Sequence, residues 1–317
     1  MPRLKDGSGK GDKRRKNPRK ASEKSIECSA KASPQPDGSK RGGLLLVATP
    51  IGNLGDMTSR ALDALREADS IACEDSRVTG KLLRKYGIDT KRVVYHDHNA
   101  ARMRPRLLRE LAAGKTIALV SDAGTPLISD PGYKLVRDVI AADIPLTFLP
   151  GPSAVITALV LSGLPPDRFF FGGFLPVKAE ARRGEIERVA SLAATLLFFE
   201  SPRRLAATLR QLADILGTRE AAVIREATKL YEEVRRGSLE ELAAFYTQAG
   251  PPKGEVVLAI GPPAATANTL SDDALRERLK PMLDRGSLRD AADAVALETG
   301  CARRKVYALA LELTGRK

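Results

Sequence analysis

Three short stretches place small residues and prolines where an apolar, β-branched run should hand over to a helix. They are Ala48-Thr49-Pro50-Ile51-Gly52-Asn53-Leu54-Gly55-Asp56, Ser121-Asp122-Ala123-Gly124-Thr125-Pro126 and Leu149-Pro150-Gly151-Pro152-Ser153-Ala154. The runs before them are Leu44–Val47, Thr116–Val120 and Leu146–Phe148. In an open α/β sheet, ligands bind beyond the carboxyl ends of the strands. Glycine there lets backbone approach a ligand, because no Cβ intervenes. One such loop is a common turn; three in register imply one site with three walls.

The alternation around these loops fixes the fold class. Strands are predicted at Leu44–Val47, Ser70–Cys73, Val93–Tyr95, Thr116–Val120 and Leu146–Phe148. Helices are predicted at Ser59–Glu67, Val78–Lys85, Arg102–Ala113, Tyr133–Ala141 and Ala154–Leu161. That order means a mostly parallel sheet with helices on both faces. Thr58 and Ser153 are placed to cap the first and last of these helices. Leu164-Pro165-Pro166-Asp167 reads as a linker, so an N-terminal α/β domain is expected over 43–163 and a second over 164–262. In the second, strands outnumber helices and antiparallel pairs are expected. Beyond Gly261-Pro262-Pro263, three helical stretches in 270–317 form a helix-turn-helix-like segment, with Ser287 capping the second and Thr299-Gly300 closing it.

The net charge of +13 is unevenly spread. Residues 1–42 hold 13 Lys/Arg and 5 Asp/Glu, a surplus of +8 that leaves only +5 for the other 275 residues. This segment has the composition of a disordered basic tail, which would add phosphate-backbone affinity without sequence preference. No apolar run is long enough to span a membrane or follow the basic start as a secretory signal. Three widely spaced cysteines fit neither a disulfide framework nor a zinc site, and suit a reducing cytoplasm.

The first loop is neither a dinucleotide fingerprint nor a Walker loop, so phosphate-centred cofactors are disfavoured. Asp122 is placed at a strand exit, where it could meet a ribose hydroxyl or an amine. The pair His96 and His98 lies in a stretch expected to be a polar loop at the cleft; no further metal ligand is evident, and no metal is expected. No Gly-x-Ser-x-Gly elbow occurs for a hydrolase. Arg225-Glu226-Ala227-Thr228-Lys229 follows a strand and Lys253-Gly254-Glu255 opens another, so both could face an anionic substrate across the cleft. Arg303, Arg304 and Lys305 begin the last helix as candidate nucleic-acid contacts.

The run from Val47 to Leu62 resembles the opening motif of the tetrapyrrole methylase superfamily. Ala48 and Pro50 replace two of its glycines and Asn53 its aspartate, the form of one branch: the bacterial 16S rRNA (cytidine-2′-O)-methyltransferases. Ala72–Gly80, His96–Asn99, Val120–Pro126, Asp130–Tyr133, Pro150–Ala154, Gly173–Pro176, Phe198–Ser201, Arg225–Lys229 and Lys253–Glu255 resemble it too, in order. The resemblance implies two α/β domains with S-adenosylmethionine in the cleft between them. It implies a homodimer that methylates the ribose 2′-oxygen of a decoding-centre cytidine in the small ribosomal subunit.

On that basis the cofactor-binding residues are expected to be Pro50, Gly52, Asn53, Asp122, Ala123, Gly124, Pro126, Gly151, Ser153 and Ala154. RNA contacts are expected from His98, Arg225, Lys253, Arg303, Arg304 and Lys305. A poor nucleophile such as the 2′-hydroxyl would benefit from a proton acceptor. Glu226, Lys229 and His98 remain open for that role, with Glu226 ranked first as base if burial raises its pKa, and Lys229 as an RNA or transition-state contact. The alternatives are a tetrapyrrole-precursor methylase of the same fold and a non-catalytic RNA-binding assembly protein.

Overall fold

The computed structural model describes residues 42–264, 271–284 and 286–315. The expected basic tail lies outside them except for its last residue, Gly42. That residue is buried, and a Cβ on it would lie 2.0 Å from the Gly114 carbonyl oxygen, so it already belongs to the folded body.

The first sheet comprises β1 (Leu44–Val47), β2 (Ser70–Cys73), β3 (Arg92–Val94), β4 (Ile117–Val120) and β5 (Leu146–Leu149). All pairs are parallel, in the order β3-β2-β4-β1-β5. The chain leaves β1 toward β2, past β4, and leaves β4 toward β5, past β1. Right-handed crossovers running in opposite directions put their helices on opposite faces. Accordingly α1 (Ser59–Glu67) and α2 (Ser76–Lys85) cover one face through Leu65 and Leu83 against Val47, Ile71 and Val120. The other face takes α3 (Asp97–Ala112) and α4 (Tyr133–Ala141), through Leu107, Leu111 and Leu135 against Leu44, Ile117 and Leu119. Thr58 caps α1 by accepting from the Ala61 N–H at 3.2 Å.

The second sheet comprises β6 (Phe169–Phe174), β7 (Thr195–Glu200), β8 (Glu220–Arg225), β9 (Glu233–Ser238) and β10 (Val256–Ile260). Its order is β6-β7-β10-β8-β9; only β6 and β7 are parallel, as the excess of strands over helices leads one to expect. Alternation of side chains divides its faces. Leu196, Phe198, Val223 and Leu258 pack on α6 (Ala179–Val189), α7 (Leu205–Leu216) and α8 (Leu239–Ala249). Leu197, Ala222, Ile224, Val257 and Ala259 face the other way and meet α5 (Ala154–Ser162).

This packing departs from the expected boundary. α5 precedes the Leu164–Asp167 linker, yet its Val155, Ala158 and Leu159 are buried on the second sheet. The chain passes directly from a strand of the first sheet to a helix of the second, which joins the two α/β layers within a few residues. Ser153, at the N-cap of α5, makes no side-chain cap bond. α3 also begins five residues earlier than expected. The Asn99 side chain accepts from the His96 N–H at 3.0 Å and starts the helix, so His98 stands in its first turn rather than in a loop.

The last three helices, α9 (Asp272–Leu283), α10 (Leu288–Thr299) and α11 (Arg303–Thr314), share a small core built on Leu275, Leu279, Val295, Val306 and Leu309. Ser287 caps α10 by accepting from Asp290 N–H at 3.2 Å, and Gly300 closes it with φ +67°. No helix among the described residues is long and apolar enough to cross a membrane.

If α5 is the joint between the layers, deleting its buried side chain should destabilise both. Leu159→Ala is expected to lower unfolding stability by about 2–5 kcal/mol, measured as a shifted denaturant midpoint with unchanged slope. A loss below about 1 kcal/mol would mean that the helix is not packed as described.

Candidate active site: a cavity shared by the two sheets

A cavity of about 410 Å³ opens where the carboxyl ends of β1, β4 and β5 face the ends of β6, β7, β8 and β10. The three glycine and proline loops make its first wall and are bonded to one another. Thr49 and Gly124 exchange both backbone hydrogen bonds, at 2.9 and 3.0 Å. The Thr49 hydroxyl donates to the Ser121 carbonyl at 3.3 Å, and the Thr125 hydroxyl to the Pro152 carbonyl at 3.1 Å. Gly124 has φ +80°, a conformation that favours glycine. At Gly151 a Cβ would stand 3.0 Å from that of Ala48, so the first and third loops touch.

Of the expected cofactor residues, Asp122, Ala123, Gly124, Ser153 and Ala154 line the cavity. Pro50, Gly52, Asn53, Pro126 and Gly151 are not among its walls. Pro50 and Pro126 are buried behind it and shape the loops. Gly52 and Asn53 meet the second domain instead: a Cβ on Gly52 would lie 2.3 Å from Lys229 Cγ, and the Asn53 N–H donates to Thr228 Oγ1 at 3.2 Å. Gly52 is therefore needed for the close passage of a lysine stem rather than of a ligand.

The cavity's electrostatics are one-sided. Asp122, Asp130, Glu200 and Glu255 contribute to its lining, and no lysine or arginine does. Asp122 Oδ1 accepts from the Asp75 N–H at 3.0 Å, which ties the β4 exit to the β2 exit. Glu200 is buried and balanced, accepting from Ser201 N–H at 2.6 Å and Thr208 Oγ1 at 2.7 Å and pairing with Arg204 at 2.5 Å. Among the described residues Asp130 has no such cation. Burial first, then the charges of Glu74 and Asp122, push its carboxyl up to about 6. Glu74 is raised as well, mainly by burial. Leu127 and Ser129, just before Asp130, hold positive φ values of 74° and 64°. Such strain persists where the surroundings over-determine the backbone, and it concentrates at functional sites.

The Arg225–Lys229 turn behaves differently from the expectation for a base. Lys229 Nζ lies 2.8 Å from Glu226 Oε1 and 3.0 Å from Glu255 Oε2. The Lys229 ammonium beside it lowers the Glu226 carboxyl, the opposite of the rise that proton acceptance near neutrality requires. Burial works against the charged form of Lys229, but Glu226 and Glu255 outweigh it and raise its pKa, so the amine stays charged. Glu226 and Thr228 both have positive φ, 51° and 66°, and Thr228 is β-branched. This strained turn serves as a clasp, closing the second domain onto the first loop at Gly52 and Asn53.

The remaining expected contacts are dispersed. His98 is exposed at the start of α3, its ring edge-on to His96 with centroids 5.8 Å apart. Arg225 pairs with Glu233 at 3.0 Å and donates to the Lys253 carbonyl, while the Lys253 side chain is exposed. Arg303 pairs with Asp293, and Lys305 with Asp272 at 2.8 Å, so Arg304 is the exposed cation of that trio without such a pair among the described residues. Among the described residues no group of His, Cys, Asp or Glu is arranged to hold a metal ion.

Residues 43–243 match the family model described as Tetrapyrrole (Corrin/Porphyrin) Methylases, and residues 269–314 match one described as RsmI C-terminal HTH domain. Similar curated proteins include those named Ribosomal RNA small subunit methyltransferase I from Mesorhizobium japonicum and Escherichia coli O157:H7. The first is 48% identical over 271 residues, covering 85% of this chain and 92% of that protein. The second is 43% identical over 277 residues, covering 87% and 96%. Among solved structures, a diphthine synthase (TM-score 0.55, 18% identity, 69% of this chain and 90% of that one) shares the fold. So does the cobalt precorrin-4 methyltransferase CbiF (TM-score 0.53, 18% identity, 72% and 98%). The chain belongs to the tetrapyrrole methylase family, in its ribosomal RNA small subunit methyltransferase I branch.

Proposed function

We propose that this protein methylates the ribose 2′-oxygen of a decoding-centre cytidine in 16S rRNA, with S-adenosylmethionine as donor. The observation that carries the cofactor assignment is the sign of the cavity. Asp122 and Asp130, which line the cavity without an ion pair among the described residues, suit a ligand with a positive sulfur and an ammonium and would repel a phosphate. The apolar wall of Ile51, Val155, Phe199, Ile224 and Val257 suits the flat adenine. Ala123 and Gly124 present little beyond backbone, so a ligand can approach the loop closely. When bound, S-adenosylmethionine supplies a methyl group already activated on a sulfonium, so orientation matters more than acid chemistry.

The residues of this chain then divide the remaining work. The three bonded loops and the strand ends of the second sheet would fix the donor's position. Asp130 is better suited than Glu226 to take the 2′-hydroxyl proton, because it lines the cavity and is not neutralised by a cation. Lys229, kept charged by its ion pairs with Glu226 and Glu255, would hold the clasp to the first loop rather than accept a proton. Lys253, Arg304, His98 and the basic segment 1–42 would add affinity for RNA. The outward apolar side chains Phe148, Ile156 and Val160, on edge strand β5 and on α5, support pairing of two copies into a homodimer.

The reading is tested by incubating the protein with methyl-labelled S-adenosylmethionine and small ribosomal subunits from a strain lacking the enzyme, then digesting the RNA to nucleosides. Label is expected in 2′-O-methylcytidine from 16S rRNA alone. Label on a base, or none, would contradict it.

Proton acceptance by Asp130 has a signed pH dependence. Its ionised form is the base, so the single-turnover rate should climb as pH rises from 5 to 7, with a midpoint near 6. Asp130→Asn is expected to lower the rate by about 10²–10⁴ and flatten that climb. An unchanged midpoint in Asp130→Asn would assign the proton elsewhere. The folded carboxyl also lies above its unfolded value of about 3.9. Its ionisation therefore opposes folding, so its effect on stability eases as pH falls from above 6 toward 4.

A further inference from the structure

Phe174 is a large aromatic side chain, 62% exposed, at the wall of the cavity. Its position results from an irregularity in β6. Phe171 pairs with Leu197 of β7, but Phe174 rather than residue 173 pairs with Phe199, so one extra residue is inserted. In a regular strand Phe171 and Phe174 would point to opposite faces, since side chains alternate. The bulge moves Phe174 onto the Phe171 face, and bulges beside active sites characteristically re-aim a side chain. Both rings accordingly meet Phe199, at centroid distances of 4.9 Å for Phe171 and 5.3 Å for Phe174.

Glycine is required for this arrangement. A Cβ on Gly172 would lie 2.4 Å from Phe198 Cε1, and Gly173 has φ +64°. The sequence thus carries two consecutive glycines to present an aromatic ring that remains mostly in water. Burial does not explain that ring, because Phe199 covers only part of it.

We propose that Phe174 is the stacking surface for the nucleobase of the target nucleotide. The inference rests on the RNA-methylation reading above. A ribose can enter a cavity of this size only if its nucleotide leaves the helical stack, and the freed base then needs a partner for its face. Aromatic side chains serve unstacked bases in this way. Loss of such a partner is worth about 1–3 kcal/mol per base, roughly 5- to 150-fold in affinity. Phe199 holds the ring from behind and fixes its plane, while Phe174 itself stays open at the mouth.

The test compares Phe174→Ala, Phe174→Leu and Phe174→Tyr with the parent protein. Two quantities are measured: S-adenosylmethionine affinity by isothermal titration, and the small-subunit concentration giving half the maximal single-turnover rate. The expected result is unchanged cofactor affinity, a rise of about tenfold in the half-saturating subunit concentration for Ala and Leu, and recovery in Tyr. Lost cofactor affinity with unchanged RNA saturation would overturn the proposal and assign the ring to adenine. Leu matching Tyr would also overturn it, since apolar packing would then suffice; this comparison stands even if the Ala variant fails to fold. A parent that methylates no rRNA would defeat the functional reading itself, whereas an active parent with indifferent variants would defeat only the role of Phe174.

Discussion

The site depends on backbone meeting backbone at the strand ends. Thr49 and Gly124 bond reciprocally across two parallel strands that are adjacent in the sheet, an antiparallel bridge made by loops after those strands end. The bridge requires the loops after β1 and β4 to fold toward each other before their chains part in opposite directions. Gly124 makes it feasible through a positive φ, and Ala48 and Gly151 bring the third loop alongside with minimal side chains. A wall made largely of main chain cannot rearrange one side chain at a time. It is therefore a rigid surface on which to orient a reactive ligand, and orientation is the main requirement of methyl transfer from an activated donor.

The opposite wall is attached to this one in two ways. α5 leaves the third loop and buries itself at once on the second sheet, through Val155, Ala158 and Leu159. The Glu226–Lys229 turn returns to the first loop at Gly52 and Asn53, held by the Lys229 ion pairs and by Thr228. One attachment is apolar and the other is polar and strained. Ion pairs of this partly exposed kind contribute little to stability by themselves. Their effect here is positional, keeping Glu226, Lys229 and Glu255 engaged with one another and the turn seated on the first loop.

Much of this was legible in the sequence, for physical reasons that also explain what was not. The alternation of apolar runs and helices specified the parallel sheet, and the glycine and proline loops identified the first wall, because strand–turn–helix chemistry is local. Asp122, Ala123, Gly124, Ser153 and Ala154 stand in that wall. Gly52 and Lys229 are 177 positions apart, and no local pattern reveals that one glycine is small for the sake of that lysine. Asp130 and Phe174 lie in stretches whose family resemblance is visible, Asp130–Tyr133 and Gly173–Pro176, but what sets them apart, burial of one and a strand bulge under the other, appears only in the fold. His98 reads as a loop residue in the sequence because the Asn99 contact that starts α3 reaches backward to His96, a signal weaker than a serine or aspartate cap. The placement of α5 eluded the boundary reading because a proline-rich linker marks a turn, not the sheet on which the preceding helix packs.

The central claim is that one ligand touches both walls at once, and amide hydrogen exchange with and without S-adenosylmethionine tests it directly. Bound cofactor should slow exchange together in 121–130 and 151–155 of the first wall and in 199–202, 224–227 and 254–257 of the second. Slowing confined to the loops of one sheet, or absent from both, would contradict a shared chamber.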